Sequence, residues 1–286
     1  NGNIAFADNS GDGLVDSGTV VEQAFATYHM DNGSAITAGR FASMLGFEAY
    51  EPTGLYQYSR AYNPLEDVTT NPFNTVIGGN NALGTRYDQG VKYTYESDMT
   101  FFGVSVVDSV NVGRLGGDDV SDFGVEVAGA IDFDNGFSWF AGGRYDEGNE
   151  DATALPGSQG YDDRYILNSY VTFETGAWVF AGELAYSETD FGTVNPNDLE
   201  IFQALLMANF AYSEQASVTG RVSYVEGDNG AAVNSDEDFV KYTLAHGYAF
   251  TDNLFLVNEI SYVDGETNVG NDVETLTAAV ELIFSF

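Results

Sequence analysis

The chain has 286 residues, with 9 Lys and Arg against 44 Asp and Glu, a formal net charge of −35. That balance excludes nucleic acid as a partner, because phosphates are held by clustered Lys and Arg, and it favours cations. A composition that is 44% hydrophobic, with 21 Phe and 18 Tyr, has too much apolar surface for a disordered acidic chain, and the lack of cysteine excludes a disulfide scaffold, a thiolate metal site and a cysteine nucleophile.

No apolar run reaches about 18 residues, so no bilayer-spanning helix is predicted. The residues from Asn1 onward lack the charged and apolar regions of a signal peptide, and the sequence reads as a processed, mature chain.

In chain order, Asn3 to Ala7 reads as a stub strand. It leads into Asp8-Asn9-Ser10-Gly11-Asp12-Gly13-Leu14-Val15-Asp16, where Asp8, Ser10, Asp12 and Asp16 offer oxygens at the first, third, fifth and ninth positions of a calcium loop, with Gly13 at the sixth. Thr19 stands where the bidentate Glu would belong, so an ordinary Asp/Gly-rich turn is the competing reading. Calcium is the one cofactor the residues suggest, and nothing else in the chain requires a cofactor.

From about Val20 to Phe286 apolar residues alternate with polar or small ones in segments of roughly 10 to 14 residues, which is strand periodicity. The connections alternate in length. Asp31-Asn32-Gly33-Ser34, Ser97-Asp98, Asn135-Gly136, Gly176-Ala177, Ser213-Glu214-Gln215 and Thr251-Asp252-Asn253 are tight-turn chemistry, and the others are longer and acidic. Short turns at one end and long loops at the other predict a single-domain transmembrane antiparallel up-and-down β-barrel over residues 1–286, with short turns in the periplasm and long loops outside. Twelve full strands from Ala35 onward, one at Val20 to Met30 and the stub give a count of about 14, with 12 and 16 as alternatives.

Four segments, Phe140 to Tyr145, Val179 to Leu184, Ser217 to Val222 and Phe255 to Ile260, repeat at spacings of 39, 38 and 38 residues. A propeller blade would need four short strands per period, and two long ones fill it here. Counting back 40 residues from Arg144 reaches Val104, but 64 separate Arg40 from Val104, so one hairpin carries an insertion, at about residues 50–83. Such a loop is expected to fold inward or cap the mouth.

Leu276, Ala278, Val280, Leu282, Phe284 and Phe286 share one parity of the last strand and should face lipid. Trp139 and Tyr145 on one strand, with Trp178 and Tyr186 on another, have the spacing of aromatic girdles. A soluble sandwich would carry its polar set outward, whereas here the more polar set points inward.

The series Gly39-Arg40-Phe41, Leu45-Gly46-Phe47-Glu48 and Tyr58-Ser59-Arg60-Ala61-Tyr62 resembles the OmpL-like family of β-barrel porins. The resemblance implies an outer-membrane porin-type barrel in a Gram-negative bacterium.

The repeat places Arg144, Glu183, Arg221 and Glu259 on the inward face, with Arg40 in the equivalent position. Opposed basic and acidic groups there would form a charged belt that sorts solutes, or else cross-strand ion pairs that brace the wall. Arg60, Arg86, Asp88, Lys92 and Lys241 are further pore-lining candidates. His29 and His246 have no neighbouring Ser or carboxylate arrangement that reads as a triad, so no enzyme is expected.

The sequence thus predicts a passive, cation-preferring porin for small hydrophilic solutes, set among outer-membrane lipid and lipopolysaccharide and able to assemble as a homo-trimer. The alternative is a structural or surface-interaction barrel with a plugged lumen and calcium-binding acidic loops.

Overall fold

In the computed structural model the residues described are 4–8, 19–48, 55–64, 73, 83, 87–108, 123–147, 163–190, 197–230 and 236–285. They form one antiparallel sheet of fourteen strands, each bonded to its neighbour in chain order. The strands are β1 (Ile4–Asp8), β2 (Thr19–His29), β3 (Ser34–Ala42), β4 (Tyr87–Glu96), β5 (Thr100–Asp108), β6 (Phe123–Phe133) and β7 (Phe137–Glu147), then β8 (Asp163–Thr175), β9 (Trp178–Asp190), β10 (Leu199–Ala211), β11 (Ala216–Asp228), β12 (Asp236–Thr251), β13 (Leu254–Glu266) and β14 (Asp272–Phe284).

All six tight turns read from the sequence fall between strands, at one end of the sheet. Gly33 and Gly136 take φ of 83° and 85° there, and a Cβ on either would stand within 2.3 Å of a neighbouring carbonyl oxygen, so both turns need glycine. The connection from β3 to β4 spans residues 43–86, wider than the insertion expected at 50–83, because β3 ends at Ala42.

Strand parity assigns the two faces. On β14 the exposed set is Leu276, Ala278, Val280, Leu282 and Phe284, as the alternation requires; Phe286 lies outside the described residues. On β9, Trp178 and Tyr186 are eight residues apart on the outward face. That is about 27 Å along a strand and, at a tilt of about 40°, about 21 Å along the barrel axis, close to the height of an outer-membrane apolar band. Leu167, Leu184, Leu206, Leu244 and Ile260 fill the outward face between the girdles.

Above Tyr186, Tyr224 and Tyr262 the strands continue and turn acids outward. Glu188 stands opposite Glu200, Glu226 opposite Asp238 and Asp264 opposite Glu274. Directly opposed like charges are unfavourable in a sheet, so this rim favours cations near it. Further acids stand at strand ends: Asp146 and Glu147 end β7, Asp163 opens β8, and Asp236, Glu237 and Asp238 open β12. In the connection before β10, partial desolvation and the nearby Asp190 and Glu188 carboxylates raise the pKa of the Asp198 carboxyl from its ordinary value.

The inward face differs from expectation on one side of the barrel. Leu199, Ile201, Leu205, Val225, Phe239 and Val263 are buried there with Tyr62 and Phe73 of the β3–β4 connection. These strand positions are apolar because they pack against an internal segment and not against water.

Candidate functional site

The β3–β4 connection enters the barrel and crosses it. It starts at Ser43, whose hydroxyl donates to Glu126 Oε2 on β6 at 2.5 Å, while the Met44 N–H donates to Oε1 of the same carboxylate at 2.6 Å. The Gly46 N–H donates to Asn168 Oδ1 on β8 (3.0 Å), and the Phe47 N–H to Glu183 Oε1 on β9 (2.7 Å). Farther on, the Tyr58 and Ser59 N–H groups both donate to Glu259 Oε2 on β13 at 2.9 Å, and the Ser59 hydroxyl donates to Oε1 at 2.5 Å. One segment touching the inward face from β6 to β13 requires the sheet to curl around it, which makes the sheet a barrel.

Two inward glycines make room for the segment. A Cβ at Gly103 would lie 2.4 Å from Met44 Sδ, and one at Gly142 would lie 2.6 Å from Leu45 Cδ2. Met44 and Leu45 occupy that space and pack with Ala128, Phe140 and Ile166.

Glu48 is the hub of the segment. It accepts from Gln57 Nε2 (2.6 Å), the Ala61 N–H (2.7 Å) and Arg221 Nη1 on β11 (2.5 Å). Arg221 is 2% exposed, and its guanidinium also donates to the Ser59 carbonyl, the Ser59 hydroxyl and the Thr243 hydroxyl. Lys241 Nζ on β12 donates to the Arg60 and Asn63 carbonyls at 3.1 and 2.7 Å, and the Ser223 hydroxyl donates to the Ala61 carbonyl at 2.6 Å. The Tyr62 hydroxyl donates to Glu183 Oε2 at 2.9 Å; burial and the Glu183 carboxylate push its pKa well above the ordinary tyrosine value, so it stays a donor.

A second cluster lies on β4, β6 and β7. Arg144 donates to both Asp146 oxygens and to Asp88, with Glu126 Oε2 3.9 Å from its Nη1. These groups are largely removed from water.

Of the residues expected to line a pore, Arg144, Glu183, Arg221, Lys241 and Glu259 are buried on the inward face, and all but Arg144 hold the crossing segment. Asp88 joins the Arg144 cluster, Arg60 lies within the segment, and Arg86 is outside the described residues. Arg40 is on the opposite face. It pairs in register with Ala24 and Gln89, both outward, while its neighbour Phe41 points inward. The ladder from Arg144 runs through Glu126 and Ser105 to Lys92 and Thr37, so the step back from Arg144 is 39 residues and the equivalent position on β3 is Thr37. A one-residue slip exchanges the faces of a strand. Of the suggested calcium ligands, the backbone of Asp8 ends β1, and Ser10, Asp12 and Asp16 lie outside the described residues.

Sequence reasoning does not single out Glu126 and Asn168, whose roles exist only in three dimensions, and it counts Asp146 among the loop acids, whereas Asp146 stands on β7 beside Arg144. Glu48, Ser59 and Tyr62 do carry a signal, since they belong to the motifs on which the family resemblance rests.

Beside the segment, on the side of β2 to β8, a cavity of about 480 Å³ remains inside the barrel. Lys92 of β4 stands in its wall, with Nζ 4.5 Å from the centre of the Phe41 ring.

The family model "Putative beta-barrel porin-2, OmpL-like" matches residues 83–286. The chain belongs to this family. The match starts after the motif segment, so two separate stretches of this OmpL-like porin point the same way. Its barrel is an outer-membrane barrel of a Gram-negative bacterium. No curated relative matches the chain. Among solved structures, the outer-membrane channel DcaP of Acinetobacter baumannii is 13% identical with a TM-score of 0.66, covering 100% of this chain and 80% of its own. The trimer form of OmpT from Vibrio cholerae is 15% identical with a TM-score of 0.59, covering 93% and 80%. An anion-selective porin from Comamonas acidovorans is 12% identical with a TM-score of 0.61, covering 95% and 78%. At these identities the likeness is one of fold.

Proposed function

We propose that this OmpL-like barrel is a passive diffusion porin for small hydrophilic solutes and ions, cation-preferring, without enzymatic activity. The observation that carries the reading is the asymmetric filling of the lumen. The crossing segment is anchored by Ser43 to Gly46 on β6 to β8 and packs its apolar residues against β9 to β13, while a cavity remains beside Ser43 and Met44 on the β2 to β8 side. Cation preference is supported by the formal charge of −35 and the acidic strand ends above the girdle, which concentrate cations at the mouth.

Glu183, Arg221, Lys241 and Glu259 act in this reading by fixing the segment that sets the pore width, and Arg144 by tying Asp88 to Asp146 on the wall, more than as a belt open to water. Assembly as a homo-trimer in outer-membrane lipid and lipopolysaccharide belongs to the same proposal. It is supported by an outward apolar hollow of about 720 Å³ floored by Gly129, Ala141 and Gly143.

A structural barrel, with calcium held at Asp8, Ser10, Asp12 and Asp16, is the second reading. The apolar packing of Phe73 and Tyr62 across β10 to β13 favours it. Single-channel conductance in a planar bilayer under a salt gradient separates the two, comparing the chain with an Arg144→Ala, Arg221→Ala variant. Stable cation-selective conductance that rises in the variant supports the porin. A folded barrel silent in both forms overturns it.

A further inference from the structure

We propose that the cavity beside the crossing segment is a binding subsite for a small aromatic carboxylate. The inference rests on the porin reading for an open lumen through which such a solute arrives, and not on the cation preference of its mouth.

Lys92 carries the argument. It points inward from β4, and among the described residues no carboxylate lies within ion-pairing distance of it. Its hydrogen bond to the Ala42 carbonyl is long, at 3.4 Å. An ammonium has three donors, and burial beside rings makes unmet donors costly. By contrast Arg144 and Arg221 meet carboxylates, and Lys241 meets two carbonyls. Glu126 stands two strands away in the same ladder row and already accepts from Ser43 and Met44, so a direct ion pair with Lys92 is left for an anion in the cavity.

The walls define the rest of the solute. Phe25, Phe41, Phe101 and Tyr170 line the space, and Phe140 stacks on Tyr170 at 4.5 Å, which holds that ring in place. Thr37 and Gln23 offer hydrogen bonds beside them. A volume of about 480 Å³ is in the ordinary range for small-molecule pockets. Ring faces suit a flat, apolar body, and Lys92 suits a carboxylate attached to it. Glu96, also in the lining, lies four residues along β4, about 13 Å away at strand spacing. It repels the carboxylate from the short-turn end and so fixes the solute's direction.

The test uses the folded barrel in detergent with benzoate, benzyl alcohol and benzylamine as probes, titrated by calorimetry. Benzoate should bind about tenfold more tightly than benzyl alcohol, and Lys92→Met should remove that advantage while Lys92→Arg keeps most of it. Phe101→Ala should weaken benzoate and benzyl alcohol alike. Equal binding of benzoate and benzyl alcohol, tighter binding of benzylamine, or an unchanged preference in folded Lys92→Met overturns the proposal. Conductance is recorded on the same samples. Binding without conductance would sink the porin and leave the subsite standing, and conductance without benzoate binding would do the reverse.

Discussion

Arg221 Nη1 on the barrel wall lies 2.5 Å from Glu48 Oε1 on the segment that crosses the lumen, and the arginine side chain is wholly buried. Wall and segment are therefore joined by an ion pair that water does not screen. Arg221→Ala leaves Glu48 with a charge and no cation, which should weaken docking by about 3 kcal/mol. Larger single-channel conductance and faster proteolysis within the segment are expected. Arg221→Ala with Glu48→Gln should recover part of the loss. Unchanged conductance in a folded Arg221→Ala barrel would count against the coupling.

Glu259 accepts three hydrogen bonds from Tyr58 and Ser59. Glu259→Ala strands two backbone donors and a hydroxyl, at about 1 to 3 kcal/mol for each donor left unmet. Glu259→Gln keeps an accepting oxygen and should cost less. Hydrogen exchange at the Tyr58 and Ser59 amides reads the difference directly, and equal protection in the two variants would refute the assignment.

Gly142 faces Leu45 across a gap that a Cβ would close to 2.6 Å. Gly142→Val should push Leu45 off the wall and cost about 1 to 3 kcal/mol, because packed side chains give little. A lower midpoint in the heat-induced mobility shift of the barrel is the readout. At the outward-facing Gly220 a Cβ would meet nothing within 4 Å, so that position should accept alanine without such a shift.

Partial desolvation, with Asp190 and Glu188 nearby, holds the Asp198 proton more tightly than in an unfolded chain. An acid whose folded pKa is raised favours the folded state when protonated. That contribution is complete below the ordinary carboxylate pKa of about 4 and is lost as pH rises through the raised value. Amide exchange at Leu199 and Glu200, corrected for intrinsic rates, should therefore accelerate across that window. Asp198→Asn should flatten the profile, and a variant with the same pH dependence would disprove the local cause.

The wall of the barrel is legible in the sequence because strand parity and turn length are local. Leu276 through Phe284 alternate in the linear sequence just as they do in space, and Asn135-Gly136 forms a turn wherever it stands. Arg40 falls on the wrong face when the repeat is extended by a step of 40, because the ladder runs at 39 and parity leaves no room for such an error. The crossing segment is harder to read. Its beginning at Ser43 and its partners Glu126, Asn168 and Glu259 depend on contacts that no periodicity encodes. The apolar inward residues Ile201, Val225 and Phe239 carry no mark that distinguishes packing against an internal segment from a break in the polar lining.

Met44 reaches 82 residues forward in the chain to Glu126, and Tyr58 reaches 201 residues forward to Glu259. The segment is thus made early, while the wall that receives it is completed only when β13 has joined the sheet. Long closures of this kind are entropically expensive until the distant partner is in place. The barrel should assemble with its interior still open, and the internal segment should swing onto Glu259 as one of the last events of maturation.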